Sequence, residues 1–128
     1  MKIAATIARF LLGLTFLVFG MNLMIHFLPN PTMPPGPMAD FSLAMAKSHY
    51  SISVGFFQAV PAVLLLINRY VPLALTILAA EIVNILTFHI TMQPAGLPMA
   101  LVVAILWLLV FLRLKGAFAG IFEPTPQR

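Results

Sequence analysis

The sequence predicts an all-α integral membrane protein: a bundle of four transmembrane helices with antiparallel neighbours and both termini on the cytoplasmic side. Three observations lead there. The 128 residues are 62% hydrophobic and only 8% charged, and a soluble globule of this size has too much surface for so few charges to cover. Four apolar stretches of membrane-spanning length account for most of the chain, so the bilayer itself must solvate their outer faces. Finally, Lys2, Arg9, Arg69, Arg113, Lys115 and Arg128 all fall on one side of the resulting topology and Lys47 alone on the other. The positive-inside rule makes the first side cytoplasmic.

The whole chain, 1–128, reads as one transmembrane domain. The first span covers about 3–28 and stops where Pro29, Pro31, Pro34, Pro35 and Pro37 forbid a helix. It begins like a signal peptide, with Lys2 and Arg9 ahead of an apolar run, but the run is too long for an h-region and no small-x-small cleavage site follows. The outer loop, about 29–49, contains a short helical piece from Ala39 to Lys47 that suits the membrane interface. The second span is about 50–67 and carries Pro61, which predicts a kink. Asn68-Arg69-Tyr70 is a turn short enough only for an antiparallel hairpin, and Pro72 suits the first turn of the third span, about 71–92. Gln93-Pro94-Ala95-Gly96 turns the chain again, Pro98 opens the fourth span, about 97–114, and a cytoplasmic tail, 115–128, follows. Tyr50 and Tyr70 fall at opposite interfaces, where amphipathic rings belong. Gly13 with Gly20 and Gly55 with Ala59 lie on single helix faces and predict close helix packing.

This topology brings the few polar side chains into one layer near the outer face. His26, His49 and His89 sit at the outer ends of spans, Asn22 lies one turn inward from His26, and Gln58, Glu81 and Asn84 lie on the hairpin of spans two and three. Gln58 and Glu81 are each about eight residues from the outer end of their span, roughly 12 Å deep at the helical rise, and are expected to meet. Glu81, Asn84 and Phe88 share a helix stripe, with His89 offset from it. A carboxylate at this depth is costly, so Glu81 is expected to face the bundle interior, protonated or paired. The functional reading is one outward-facing polar pocket lined by Asn22, His26, Gln58, Glu81, Asn84 and His89, with Phe56, Phe57 and Phe88 as apolar walls, fit for a quinone ring. The bland reading is that these side chains bond one another across helices and bind nothing. A metal site ranks well behind, because no two histidines have the spacing of a helical ligand pair. Haem or pigment ligation by a single histidine ranks with it.

Several segments together resemble the DoxX-like family of small bacterial membrane proteins: Ala8-Arg9-Phe10-Leu11-Leu12-Gly13-Leu14 through Phe19-Gly20-Met21-Asn22, Arg69-Tyr70-Val71-Pro72-Leu73-Ala74-Leu75, and Val83-Asn84-Ile85-Leu86-Thr87-Phe88-His89 with Gly96-Leu97-Pro98. The resemblance covers nearly the whole chain. It implies a four-helix protein of the bacterial inner membrane, and relatives are associated with membrane oxidoreductase systems, including a subunit of thiosulfate:quinone oxidoreductase. Asn22, Asn84 and His89 are the positions it carries over. The chain has no cysteine, so it can supply no protein thiol, disulfide or cysteine-ligated cluster.

The reading placed first is therefore a component of a quinone-linked membrane redox system. The alternative is a non-catalytic accessory subunit of a larger respiratory or photosynthetic complex in contact with lipid, quinone or pigment, which the small size and an exterior rich in Met (8) and Phe (11) favour. A small proton-coupled transporter comes third, on the strength of the membrane-embedded Glu81 alone. Expected partners are the bilayer and other membrane subunits or further copies of the chain. The net charge of +4 is accounted for by helix-end cations, so nucleic acid is not among them.

Overall fold

A computed structural model of the chain describes residues 1–29 and 32–125. Asn30 and Pro31 of the expected outer loop, and Pro126 and Arg128 of the tail, lie outside the described residues. Five α-helices follow in order, with no strand among the described residues: α1 (Lys2–Ile25), α2 (Pro37–Lys47), α3 (Tyr50–Leu66), α4 (Val71–Thr91) and α5 (Leu97–Leu114), with 3-10 turns at Pro94–Gly96 and Lys115–Phe118. Helices α1 and α4 and the segment Pro94–Phe118 are each long and apolar enough to cross a membrane. Helix α3 has 17 residues, at the lower limit for spanning; taken with α2, which meets it at 87°, it gives a fourth candidate.

Local chemistry accounts for the helix ends. The first helix stops at Ile25, three residues earlier than the apolar run suggests. His26 takes a left-handed conformation (φ 51°) while its N–H still bonds to Asn22 O, and Pro29 biases the residue before it away from helix. At the other corner, His49 (φ 62°) is left-handed and Ser48 Oγ accepts the N–H of Tyr50 at 3.2 Å, which turns the chain from α2 into α3. Prolines occupy first-turn positions of α2, α4 and α5, where a missing N–H costs nothing. Within α3 the helix continues through Pro61 without interruption.

Helix α1 packs on α3 and α5, and α4 packs on the same two. Leu12 and Phe16 of α1, Ala62 and Leu65 of α3, Leu75, Leu78 and Ile82 of α4, and Val103 and Val110 of α5 form one apolar core. Exposed Ile, Leu, Val and Phe side chains cover the outer faces of all the long helices, a surface that suits lipid and would aggregate in water. Because lipid tails are as apolar as the helices, helix contacts must come from close packing and polar bonds. Both are present. A Cβ placed on Gly20 would lie 2.9 Å from Ala59 N and 2.9 Å from Gly55 O, so the α1 and α3 backbones touch, as the small residues predict. At the opposite end the Arg9 guanidinium donates to Leu65 O near the negative end of α3 and lies 4.4 Å over the Phe10 ring. Trp107 Nε1 donates to Leu75 O at 2.8 Å, tying α5 to α4.

A methyl at Gly20 meets backbone, which cannot move aside. Gly20→Ala is expected to lower stability by about 1–3 kcal/mol, read as the shift in detergent-induced unfolding. Gly116→Ala, where a Cβ would meet nothing within 4 Å, is expected to leave it within about 0.5 kcal/mol of the parent.

Candidate functional site

The polar layer is arranged as two cavities that share a wall. The first, about 480 Å³, lies among α1, α3, α4 and α5 and is walled by Phe16, Phe19, Phe88, Met99 and Val103, with Thr15, Asn22, Gln58 and His89 as polar members. The second, about 450 Å³, lies under α2 and is walled by Phe41, Met45 and Tyr50, with Ser42, Gln58, Glu81 and Asn84 as polar members. Leu23, Gln58, Ile85 and Phe88 line both. The single pocket expected from the sequence is thus divided, and helix periodicity divides it. Glu81, Asn84 and Phe88 follow one stripe of α4 into the second cavity. His89 is turned about 100° from Phe88 and faces the first; the two rings stand edge to face at 5.2 Å.

Gln58 is the hinge of the arrangement. It is only 5% exposed, and its Nε2 donates to Glu81 Oε2 at 3.3 Å, so the two side chains expected to meet do so. The glutamate's partner is an amide and not a cation. Asn22 is half-buried and its Oδ1 accepts the N–H of Leu28 at 2.8 Å, holding the chain as it leaves α1. His89, also half-buried, places Nδ1 2.8 Å from Ile85 O. Asn84 is exposed, spends one amide hydrogen on Ala80 O at 2.9 Å and lines the second cavity.

Two expectations need correction, one at His26 and one at Phe56 and Phe57. His26 lines neither cavity and is exposed, because the helix that should have carried it inward has already ended. Phe56 and Phe57 are each 48% exposed and wall neither cavity. They precede Gln58 by two and one positions, and residues so spaced do not share a helix face. Nor do the three histidines converge: His49 is exposed at the corner between α2 and α3, and no three His, Asp or Glu side chains among the described residues group as metal ligands.

Sequence reasoning missed the walls that α1, α2 and α5 provide. The signals were there: Thr15, Phe19 and Asn22 are spaced i, i+4 and i+7 on one face of α1, and Phe41 and Met45 are four apart on α2. Phe41 packs against Phe88 with ring centroids 5.5 Å apart and the planes tilted by 39°, so α2 covers the second cavity instead of merely lying beside the span.

A double-mutant cycle on Gln58→Leu and Glu81→Leu is expected to give a coupling energy of roughly 0.5–1.7 kcal/mol, the range of interhelical hydrogen bonds in membranes. Zero coupling would mean that the two side chains point apart. Comparison of the chain with models of protein families, with curated proteins and with solved structures finds no match in any of the three.

Proposed function

We propose that the chain is a four-helix transmembrane bundle of DoxX-like type in a bacterial inner membrane, both termini cytoplasmic, that serves a quinone-linked redox system by holding a lipophilic quinone-class ring in the first cavity. One observation carries this reading: a cavity of about 480 Å³ that is apolar except for Thr15, Asn22, Gln58 and His89. That is the make-up of a small-molecule site, a hydrophobic enclosure with a few polar groups that fix orientation. Phe19 and Met99, on its rim, are 52% and 64% exposed, on the helix faces that contact lipid. A ligand dissolved in the bilayer would therefore meet this wall of the cavity from the lipid, without crossing water. Support for the topology comes from the cations, which gather at the turn between α3 and α4 and at the ends of α1 and α5 away from α2.

A second reading, an accessory subunit of a larger complex, is favoured by the groove of about 320 Å³ between the outer faces of α1 and α3. It is lined by Met21, Met24, Phe56 and Val60 and has no polar member among its lining residues. Pliable methionine and aromatic surface suits contact with another helix.

Purified in mild detergent from native membranes, the protein is expected to carry quinone at near one per chain in its organic extract, and Gln58→Leu with His89→Leu to reduce that content at least about fivefold through loss of both polar anchors. A large redox assembly in the same fraction, with no quinone bound to the isolated chain, would favour the accessory reading. For the topology, a C-terminal fusion to a fluorescent protein that matures only in the cytoplasm is expected to fluoresce, and the same fusion point with a periplasm-dependent phosphatase to be inactive.

A further inference from the structure

The polar members of the first cavity are already partly committed, and what they have left over defines the ligand they complement. A backbone N–H can only donate, so the Leu28 amide at 2.8 Å fixes the Asn22 carboxamide with Oδ1 toward Leu28 and leaves Nδ2, a donor, free for the cavity. A backbone carbonyl can only accept, so the Ile85 oxygen at 2.8 Å from His89 Nδ1 requires the hydrogen on Nδ1. The neutral ring then presents a bare Nε2, an acceptor. Gly96 has no side chain, and the Nε2–Cδ2 side of the His89 ring packs where a Cβ would stand, so this glycine makes room for the ring in its wall. Gln58 spends Nε2 on Glu81 and retains Oε1, a second acceptor. The Thr15 hydroxyl donates to Leu11 O at 2.7 Å and keeps its oxygen as an acceptor, so the cavity offers three acceptors and one donor within an otherwise apolar enclosure.

A quinone ring carries carbonyl oxygens, which only accept. It can use the Asn22 amide but leaves Gln58 Oε1 and His89 Nε2 facing a group that cannot donate to them, and unmet polar groups in an apolar cavity cost free energy. A quinol carries two hydroxyls, each able to donate and accept. From this inventory, and resting on the reading of the cavity as a ring site, we infer that the first cavity selects the reduced, hydroxyl-bearing form of its ligand, with His89 Nε2 and Gln58 Oε1 accepting hydrogen bonds from the hydroxyls and Asn22 Nδ2 donating to one of them. Glu81 takes part by position alone: it holds the Gln58 amide hydrogens on the side of the second cavity, so that the carbonyl faces the first.

The test uses the full chain in nanodiscs under anaerobic conditions and three probes with one carbon skeleton: a short-chain ubiquinone, its quinol, and the dimethyl ether of that quinol, which keeps the shape and the acceptors but has no hydroxyl. Binding is read by calorimetry. The quinol is expected to bind at least about tenfold more tightly than either of the others, a difference of about 1.4 kcal/mol, and His89→Phe, which keeps a ring of similar size, to bring the three within about threefold of each other. Should that variant not fold, the parent protein supplies an independent reading. A tenfold preference for the reduced form raises the midpoint potential of the bound couple by about 30 mV over the same couple in protein-free nanodiscs. Equal binding of quinol and dimethyl ether, or a potential shifted downward, overturns the inference while leaving the ring site standing; binding of none of the three overturns both.

Discussion

The contact between the α1 and α3 backbones at Gly20, Gly55 and Ala59 is the constraint on which the rest of this molecule depends. A bilayer gives helices no hydrophobic reason to pair, so their separation is set by what their surfaces allow. Gly20 stands where any side chain would strike the peptide groups of α3. That closeness puts Asn22, two residues further along α1, in the same cavity wall as Gln58, one residue before Ala59. If α1 stood further off, the first cavity would open to lipid along its length and its polar members would lie in separate walls. The Arg9 bond to Leu65 O at the far end of the same helix pair limits the rotation of one helix over the other, and the Trp107 bond to Leu75 O does the same for α4 and α5.

Within that frame Gln58 divides an apolar compartment from a more polar one. Its side chain reaches both, yet its one hydrogen bond to another side chain goes to Glu81. A carboxylate inside a membrane protein is costly unless something meets it, and here an amide meets it, with Asn84 and Ser42 in the same cavity. The consequence for the first cavity is that the only acid nearby is held on the other side of its wall. Its polar character then comes from a hydroxyl, two amides and an imidazole, and no carboxylate stands against an apolar ligand there.

The helices were legible in the sequence because apolar length and proline position decide them almost alone. Spans expected at about 50–67, 71–92 and 97–114 became Tyr50–Leu66, Val71–Thr91 and Leu97–Leu114. The meeting of Gln58 and Glu81 was legible too, since equal depth on adjacent arms of a hairpin leaves little else for them to touch. What could not be read was rotation about the helix axes. A register count fixes depth but not direction, so Phe56 and Phe57 were placed in a wall that they turn away from, and His89 was grouped with Glu81 although one step of about 100° beyond Phe88 carries it into a different cavity. His26 failed for a local reason: the apolar run through Phe27 and Leu28 masks a left-handed helix end at His26. The cover that α2 provides was out of reach because the 87° corner at Ser48 and His49 has no glycine or proline to announce it.

The proposed site is the cavity lined by Phe19 and Met99, with the polar end of a bilayer-soluble ring at Asn22, Gln58 and His89. Photoaffinity labelling with an azido-quinone in native membranes, mapped by peptide mass spectrometry, tests it most directly. Adducts are expected to concentrate on the Phe19 to Leu23 stretch of α1, around Phe88 and His89, and at Met99 to Val103, all suppressed by excess unlabelled quinone. Labels spread evenly over the lipid-facing residues, or confined to Met21, Phe56 and Val60 on the outer groove, would contradict it.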